Sequence, residues 1–311
     1  MNNKILRIGT RGSQLALWQA HWVRKAVLDQ QPDAVVALEI LKTQGDKILD
    51  VPLAQVGGKG LFVKEIEEAL LDGRIDLAVH SMKDMPAELP VGLCVAAIPR
   101  RENPLDAFVS NNYGSLDDLP QGARVGTSSL RRGAQILHHR PDLVIVPLRG
   151  NVDTRLKKLE TDDLDAIVLA SAGLTRLGLA NHITTRLDTG TMLPAVGQGA
   201  LCIEARDADA PVMDLLSALD HQASHMAVVA ERAFLRRLEG GCQVPLAAYA
   251  TLDQGLLTIT GLVAELDGSR VIKSSLQGPP ETAEPLGRQL AEQLLDRGAG
   301  DILERLQAHA R

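Results

Sequence analysis

Residues 57–84, GGKGLFVKEIEEALLDGRIDLAVHSMKD, contain one complete unit of the fold in the order loop, helix, strand. After the glycine-rich loop, apolar residues recur at helical spacing from Phe62 to Leu70, and Gly73 is typical of a residue that ends a helix. Ile75–His80 then has the length and apolar content of a short buried strand. Strands that alternate with helices in this way predict a mostly parallel sheet that is covered on both faces.

The same alternation continues on both sides of this unit. Towards the amino terminus, Ile5–Ile8 and Val35–Leu41 flank a helix that Ser13 is placed to cap. The apolar residues expected on one face of that helix are Leu15, Trp18, Trp22 and Ala26. Beyond a polar link from Pro99 to Pro104, the alternation restarts, and the strands expected there are Ala107–Ser110, Arg124–Thr127, Leu143–Pro147 and Ala166–Ala170.

The pattern changes at about His221 to a long helix, then strands joined by short turns, then a last helix over Thr282–Arg297. Ala200–Glu204, by contrast, is a short apolar strand whose natural place is in the first sheet. We therefore predict a combined α/β and α+β fold without internal repeats. Its expected units are an α/β lobe of residues 1–99 plus 200–217, a second α/β lobe of residues 105–193, and a smaller C-terminal α+β domain of residues 221–311 with an antiparallel three-stranded sheet. Two crossings between the lobes indicate a hinged cleft.

The composition is that of a globular chain with a modest negative charge. Its 311 residues include 33 Lys and Arg against 39 Asp and Glu, for a formal charge of −6. Apolar runs stay far below the roughly 20 residues of a membrane span, and the amino end shows no export signal, so we expect a cytoplasmic protein without a membrane partner. Net acidity and a content of two Trp, two Tyr and three Phe argue against a nucleic-acid ligand.

The three cysteines differ in their surroundings. They are odd in number and form no C-x-x-C pair, which argues against both a disulfide framework and a metal site. Cys94 and Cys202 lie in apolar strand contexts that are typical of buried, inert thiols. Cys242 instead follows a long helix, after two glycines and before Pro245. A thiol in such a loop can act as a nucleophile or attachment point, although no histidine stands beside it to activate it.

Basic residues cluster with Gly, Ser and Thr where predicted strands end and helices begin. Within Val125–Arg132, the hydroxyls of Thr127 and Ser129 and the guanidinium groups of Arg131 and Arg132 fall at one such point. Together with the free N–H groups of the helix start, they favour a bound carboxylate or phosphate over a solvated basic turn. The same scheme recurs at Leu148–Arg155, Thr10–Ser13 and Ala172–Arg176. Four such sites at equivalent strand ends predict a polyanionic ligand in one cleft.

Lys83 and Asp84 follow the strand Ile75–His80 directly, at the edge where open α/β sheets assemble their ligand sites. Asp84 can hold or move a proton on a cationic substrate group, and Lys83 can pair with a carboxylate. From position alone, a loop-capping aspartate beside a solvated lysine explains the pair equally well. The loop 57–60 is not a nucleotide phosphate loop, because Leu61 stands where Ser or Thr is required, and we expect Lys59 to contribute one more anion contact.

Seven ordered motifs make the chain resemble the porphobilinogen deaminase family nearly from end to end. They are residues 7–18 (RIGTRGSQLALW), 56–62 (VGGKGLF), 79–84 (VHSMKD), 125–132 (VGTSSLRR), 148–151 (LRGN), 193–199 (LPAVGQG) and 239–245 (EGGCQVP). The resemblance implies a transferase of tetrapyrrole and heme biosynthesis, hydroxymethylbilane synthase, which joins four porphobilinogen molecules head to tail with loss of ammonia to give 1-hydroxymethylbilane. It also implies a monomer whose two lobes are similar to type II periplasmic-binding-protein domains.

The resemblance further implies roles for individual residues. A dipyrromethane cofactor made from two substrate units is expected on Cys242 through a thioether. Asp84 is expected as the catalytic carboxylate, which assists departure of the aminomethyl nitrogen and stabilises the cationic azafulvene-type intermediate. The residues expected to bind the cofactor are Cys242, Lys83, Asp84, Thr127, Ser129, Arg131, Arg132 and Arg155. Those expected to bind substrate are Arg11, Ser13, Lys59, Phe62, Arg149, Asn151, Arg155, Arg176 and Gln198. Gln55 stands where the family often has a second lysine, which argues against a lysine pair being required for turnover.

Two other functions are open from the residues alone. A two-lobed small-anion-binding or effector-sensing protein shares the hinged lobes and the anion contacts, but it would lack the third domain and have no use for Cys242. A cysteine-dependent acyl-transfer enzyme needs a base near Cys242, which the sequence does not show. Release of ammonia from porphobilinogen would separate the three functions.

Overall fold

The structure, a computed structural model of the 311-residue chain, describes residues 5–47, 63–238 and 244–309. The loop 57–60 and the positions Gln55, Lys59, Leu61, Phe62 and Cys242, all named above, lie outside the described residues, so what was expected of them stays a prediction. None of the helices in these three ranges combines the length and the apolar character needed to cross a membrane.

Thirteen strands form within the described residues, most of them close to the predicted positions. In chain order they are β1 (Leu6–Thr10), β2 (Val36–Ile40), β3 (Leu77–Ser81), β4 (Leu93–Ala97), β5 (Asp106–Val109), β6 (Arg124–Gly126), β7 (Val144–Val146), β8 (Ala166–Ala170), β9 (Thr185–Leu187), β10 (Leu201–Arg206), β11 (Leu246–Asp253), β12 (Leu256–Ala264) and β13 (Val271–Gly278). The short edge strand β9 is not among the predicted strands, because its three residues include only one apolar side chain, Leu187.

Ten α-helices accompany these strands in the same part of the chain. They are α1 (Gln14–Gln30), α2 (Gln44–Lys47), α3 (Lys64–Leu71), α4 (Leu130–His139), α5 (Val152–Thr161), α6 (Ser171–Arg176), α7 (Ala210–Ser217), α8 (Gln222–Arg237), α9 (Ala283–Leu294) and α10 (Gly300–His309). The single last helix predicted over 282–297 is wrong at its end. The chain kinks at Gly298, where φ is +93°, and continues as α10, because glycine takes up this left-handed conformation without steric cost.

Two of the three sheets share one topology. The first sheet has the strand order β2-β1-β3-β10-β4 and the second has β7-β6-β8-β5-β9. In each, one strand runs antiparallel to both of its neighbours, β10 in the first sheet and β5 in the second. The chain passes between the two sheets twice. Strand β5 follows the first crossing, residues 98–105, and β10 follows the second crossing, residues 188–200. The molecule therefore repeats its architecture without a period in its sequence.

The third sheet, β11-β12-β13, is antiparallel throughout, and helices α8 and α9 pack against it. Its core includes Phe234, Ile259 and Leu290, none of which is exposed to solvent. Two mixed α/β sheets and a smaller antiparallel C-terminal sheet confirm the predicted fold class.

The buried face of α1 differs from the predicted one. Ala20, Val23 and Val27 are fully buried, whereas Trp18 and Trp22 are 37% and 38% exposed. The guanidinium carbon of Arg176, from α6, lies 5.8 Å from the centre of the Trp18 ring. The indole therefore covers a cation that the second sheet supplies, instead of filling the core of the first.

A buried carboxylate on α8, that of Glu231, joins both crossings to the third sheet. Arg101, on the first crossing, donates to its two oxygens at 2.5 and 3.2 Å. On the second crossing, the backbone N–H of Gly197 donates to Glu231 at 2.6 Å, and the N–H of Ala250 in β11 does so at 2.8 Å. Arg101 also donates to the carbonyl of Gln198 at 2.8 Å, which ties the two crossings directly to each other. Helix α8 thus holds the connection between the first two sheets.

Close packing of α8 against α9 requires a glycine at position 287. A Cβ atom at this position would overlap the carbonyl oxygen of Ala230 and come within 3.0 Å of the Ala233 Cβ. We therefore expect Gly287→Ala to lower the free energy of unfolding by about 1–3 kcal/mol, as overpacking does in other cores. Urea unfolding followed by circular dichroism measures the change.

Gly300→Ala is the matched control, because the nearest atom to its added Cβ is 3.8 Å away and its backbone is already helical. It should leave stability unchanged or raise it by up to about 1 kcal/mol. Equal effects of the two substitutions would contradict the packing explanation.

Candidate active site

Charged residues from the first two sheets meet in the cleft between them. Lys83 and Asp84 follow β3, whereas Arg132 and Arg155 lie in the first turns of α4 and α5 after strands of the second sheet. These groups are close enough that Asp84, Arg132 and Arg155 all change the pKa of Lys83. The structure therefore brings together charged groups that the sequence analysis placed at separate strand ends.

The turn that carries Lys83 and Asp84 is anchored by its first residue. Met82 is 1% exposed, and its backbone N–H donates to the carbonyl of Ala200 at 3.0 Å. This anchor holds a single 3-10 turn, Met82–Asp84, at the carboxyl end of β3. Lys83 is half-buried, and burial lowers the pKa of its ammonium group while the neighbouring Asp84 raises it. Asp84 itself is exposed, so its carboxylate is accessible to a ligand.

Asp106, at the start of β5, holds two arginines in place. Arg131 donates to its two oxygens at 2.7 and 3.1 Å, and Arg132 Nε donates to it at 2.8 Å. All three side chains are buried, and Asp106 is not exposed at all. Burial alone would raise the pKa of Asp106, but the charges and hydrogen bonds of the two arginines lower it well below its usual range. One carboxylate therefore accepts hydrogen bonds from two guanidinium groups and partly neutralises both.

Two predicted ligand residues are committed to contacts within the protein. Arg131 also donates to the carbonyl of Leu193 at 2.7 Å, and Gln198 donates to Pro104 O at 2.6 Å and to Asp106 at 3.1 Å. Gln198 is 1% exposed. The structure thus places both side chains at the crossings between the sheets.

Three of the predicted neutral ligand residues are helix N-caps, each of which accepts a hydrogen bond from a backbone N–H. The bonds are Ala16 N to Ser13 Oγ at 3.3 Å, Arg132 N to Ser129 Oγ at 3.4 Å, and Thr154 N to Asn151 Oδ1 at 2.8 Å. The serine hydroxyls and the Asn151 amide keep their own donor hydrogens, so they can still bind an anion. Thr127 is buried, and its hydroxyl oxygen accepts from Ser129 N at 3.2 Å, which shapes the turn after β6.

The turn after β7 brings further cations to the cleft. Gly150 has φ of +116°, and a Cβ there would lie 2.6 Å from Thr154 Cγ2, so this turn requires glycine. Arg155 donates through Nε to the Gly150 carbonyl at 2.8 Å. Burial, together with the nearby charges of Arg132 and Arg149, lowers the pKa of Arg155 to about 10, although Asp84 raises it. Arg149 and Arg11 are half-buried at the ends of their strands.

Arg176 links α6 to the second crossing. Its Nη2 donates to the carbonyl of Gly199 at 2.7 Å, and its guanidinium group lies over Trp18. It is 8% exposed, and burial lowers its pKa to about 10. Within the described residues, neither Arg176 nor Arg155 nor Lys83 forms an ion pair with a carboxylate. The described part of the cleft therefore holds cations that form no ion pair.

Sequence reasoning missed two residues that position this site. Asp106 is the first residue of an apolar strand, within Leu105-Asp-Ala-Phe-Val109. A charged residue in such a strand indicates that a partner of opposite charge is buried beside it, so the sequence did contain a signal for Asp106. Ser128 ties the turn after β6 to the turn after β7, because its hydroxyl donates to Leu148 O at 3.0 Å and accepts from Leu148 N at 2.9 Å. Nothing in the local sequence of Ser128 distinguishes it from its serine neighbour.

Asp106→Asn should lower the free energy of unfolding by about 3–5 kcal/mol at neutral pH, because it leaves two buried guanidinium groups without an anion. The pKa of Asp106 is lowered on folding, so its carboxylate stabilises the protein above its unfolded pKa of about 3.9, and this contribution declines only as the pH falls below that value. The stability difference should therefore persist between pH 8 and pH 5, as measured by chemical unfolding.

Asp142→Asn provides the control for this prediction. Asp142 also pairs with an arginine of the second sheet region, Arg140 at 2.6 Å, but its side chain is 27% exposed. Loss of such a partly solvated pair should cost much less than loss of Asp106. If Asp106→Asn were no more destabilising than this control, Asp106 would not be the anchor of the arginines.

Known proteins resemble this chain across almost its whole length. Residues 6–214 match the family model for the dipyromethane cofactor binding domain of porphobilinogen deaminase, and residues 225–296 match that for its C-terminal domain. The porphobilinogen deaminase of Syntrophotalea carbinolica is 59% identical over 306 residues, which cover 98% of this chain and 97% of that protein. The enzyme of the same name from Geobacter sp. strain M21 is 57% identical over 300 residues, 96% of this chain and 94% of that protein.

Among solved structures, the methionine-binding protein MetQ aligns with a TM-score of 0.45 at 16% identity, over 69% of this chain and 89% of that protein. The two family matches and the curated relatives agree with the motifs and with the cationic cleft. The chain belongs to the porphobilinogen deaminase family.

Proposed function

We propose that this chain joins four porphobilinogen molecules head to tail, with release of one ammonia molecule per unit, and frees the product by hydrolysis as 1-hydroxymethylbilane. The observation that carries this proposal is the exposed carboxylate of Asp84 beside Lys83 and Arg155, two cations that form no ion pair with any carboxylate of the described residues. Relatives named porphobilinogen deaminase favour this function over a two-lobed anion-binding or effector-sensing protein.

The charges of the substrate match this arrangement. Porphobilinogen carries an acetate, a propionate and a cationic aminomethyl group, so each added unit brings two carboxylates into the cleft. Guanidinium groups suit carboxylates because they stay charged and donate two parallel hydrogen bonds. Arg11, Arg149 and Arg176, with the donor groups of Ser13 and Asn151, are the proposed substrate contacts in the described part of the chain.

The residues present also fit a dipyrromethane cofactor, which carries four carboxylates. In the part of the chain that the structure describes, Lys83 and Arg155 form no ion pair, and Arg131 and Arg132 share one carboxylate. The cleft therefore has excess positive charge that a polycarboxylate can neutralise. These four cations, with Thr127 and Ser129, are the proposed cofactor-binding residues. When bound, the cofactor supplies the pyrrole carbon to which the first substrate joins. Its proposed thioether link is to Cys242, in the connection between α8 and β11.

Asp84 is the proposed catalytic carboxylate. It is exposed at the end of β3, where it can accept a hydrogen bond from the substrate's pyrrole N–H and stabilise the positive charge that develops as ammonia leaves. The same carboxylate can take up the proton that the attacking pyrrole carbon releases when the new bond forms. Lys83, directly beside it, is placed to hold a substrate or cofactor carboxylate and not to transfer protons.

We also propose that the enzyme acts as a cytoplasmic monomer, with its domains at the boundaries that the sequence predicts. Cys94 and Cys202 are free thiols, which supports a reducing compartment. Light scattering of the purified protein measures its mass in solution and so tests the monomer.

Asp84→Asn keeps the shape of the side chain but removes its charge, so turnover should fall by at least about a hundredfold while the cofactor is retained. Ammonia release from porphobilinogen under single-turnover conditions measures this loss. Asp84→Glu should recover part of the rate, because it restores the carboxylate. Asp72→Asn, an exposed position at the end of α3, should leave the rate unchanged. A normal rate for Asp84→Asn would remove Asp84 from the mechanism.

The attachment site is tested by the intact mass of the denatured protein and by peptide mapping. We expect a mass increase of two linked pyrrole units on the peptide that contains Cys242, and none in Cys242→Ser. Cys94→Ala and Cys202→Ala should keep the modification, because burial raises the pKa of both thiols and leaves them unreactive. A modification on either of these cysteines would refute the assignment to Cys242.

A further inference from the structure

A second cavity lies where the segment after Asp84 meets helix α8. Its volume is about 530 Å³, and it shares no lining residue with the cleft described above. Ala87 and Leu89 line it from the segment between β3 and β4, and Arg232 lines it from α8. The cavity is therefore formed jointly by the first sheet region and by the helix that supports the third sheet.

Arg232 is a buried cation that forms no ion pair within residues 5–47, 63–238 and 244–309. It is 8% exposed, its Nη2 donates to the carbonyl of Ala87 at 3.1 Å, and its Nη1 lies 3.8 Å from the sulfur of Met82. No carboxylate of the described residues forms an ion pair with it. Burial of the guanidinium group lowers its pKa. Buried arginines are ordinarily paired, because removal of a charge from water is costly unless an anion replaces the solvent.

The other charges around the cavity are already balanced. Arg236 pairs with Glu284 at 3.1 Å, and His225 contacts Asp220 at 2.8 Å. Glu88 is exposed, so water solvates its charge. The remaining wall is apolar and consists of Leu89, Val95, Ile98, Val228 and Val229. Among the described cations that line the cavity, Arg232 is thus the one without an ion pair, and it faces an apolar surface.

We propose that this cavity binds a small organic acid, whose carboxylate pairs with Arg232 and whose apolar body packs against the valine and leucine side chains. The cavity has the size of sites that hold compact organic ligands. A carboxylate completes the hydrogen bonding of a guanidinium group, and the apolar body removes the lining side chains from water. This site does not rest on the chemistry of the cleft.

The test uses the purified holoenzyme with ¹³C-labelled Val and Leu methyl groups, titrated with sodium octanoate. Octanoate should shift the methyl signals of Leu89, Val95, Val228 and Val229. Acetate, which has the charge without the chain, and octanamide, which has the chain without the charge, should each bind at least about tenfold more weakly. If acetate bound as tightly as octanoate, the cavity would be a simple anion site. If octanamide bound as tightly as octanoate, the cavity would be a purely apolar pocket. Either result would overturn the proposal.

Matched variants locate the binding. Arg232→Met should weaken octanoate binding by at least about tenfold, whereas Arg237→Met, on the same helix but ion-paired with Glu292, should change it by less than about twofold. Val229→Trp keeps Arg232 but fills the cavity, so it should also abolish the shifts, and it tests the site even if Arg232→Met fails to fold. Shifts confined to Val152, beside the cleft, or unchanged binding in Arg232→Met and Val229→Trp, would refute the site.

Discussion

The arrangement of the molecule depends on the buried carboxylate of Glu231. The chain passes between the first two sheets twice, and both crossings bind to this one side chain, through Arg101 and through the backbone of Gly197. The same carboxylate accepts from Ala250 in the third sheet. Four hydrogen bonds satisfy a group that is wholly excluded from water, and a carboxylate so enclosed is strongly destabilising if a partner is removed. The relative position of the three sheets, and with it the cleft, follows from this junction.

Within the cleft, some cations are neutralised by a buried carboxylate and others are not. Asp106 compensates Arg131 and Arg132, so these guanidinium groups are held rigidly without help from a ligand. Lys83 and Arg155 form no such ion pair within the described residues, and burial lowers the pKa of both, although Asp84 raises it. Partly buried cations without an ion pair destabilise the free protein but favour a ligand that brings several carboxylates. The growing chain of pyrroles proposed here is such a ligand, and each unit adds two more carboxylates.

Arg232, at the junction of α8 with the first sheet region, is likewise a buried cation without an ion pair among the described residues. Here one cation faces an apolar wall, whereas the cleft places several cations around an exposed aspartate. A charge that stays unpaired in a folded interior indicates either a structural cost or a missing partner. Comparison with Glu231, whose every bond is satisfied nearby, favours a missing partner at Arg232.

Local sequence was sufficient for the features that depend on neighbouring residues. Ser13 caps its helix as its position predicts, since an N-cap bonds an N–H three residues away. Lys83 and Asp84 follow a buried strand, and alternating strands and helices identify the α/β sheets, while the family motifs indicate the chemistry. These features involve contacts within one turn or one strand, so the order of the residues specifies them directly.

Tertiary structure alone decided which distant residues meet. Four features leave no periodic signal in the sequence. They are the pairing of Asp106 with Arg131, the burial of Gln198 at a crossing, the contact of Trp18 with Arg176, and the shared topology of two sheets. Each depends on how two crossings bring separate parts of the chain together. The sequence by itself determined the elements, their caps and the residues able to bind carboxylates. Which of those residues are neutralised inside the protein and which are left for a ligand was decided only by folding, because an ion pair forms between neighbours in space.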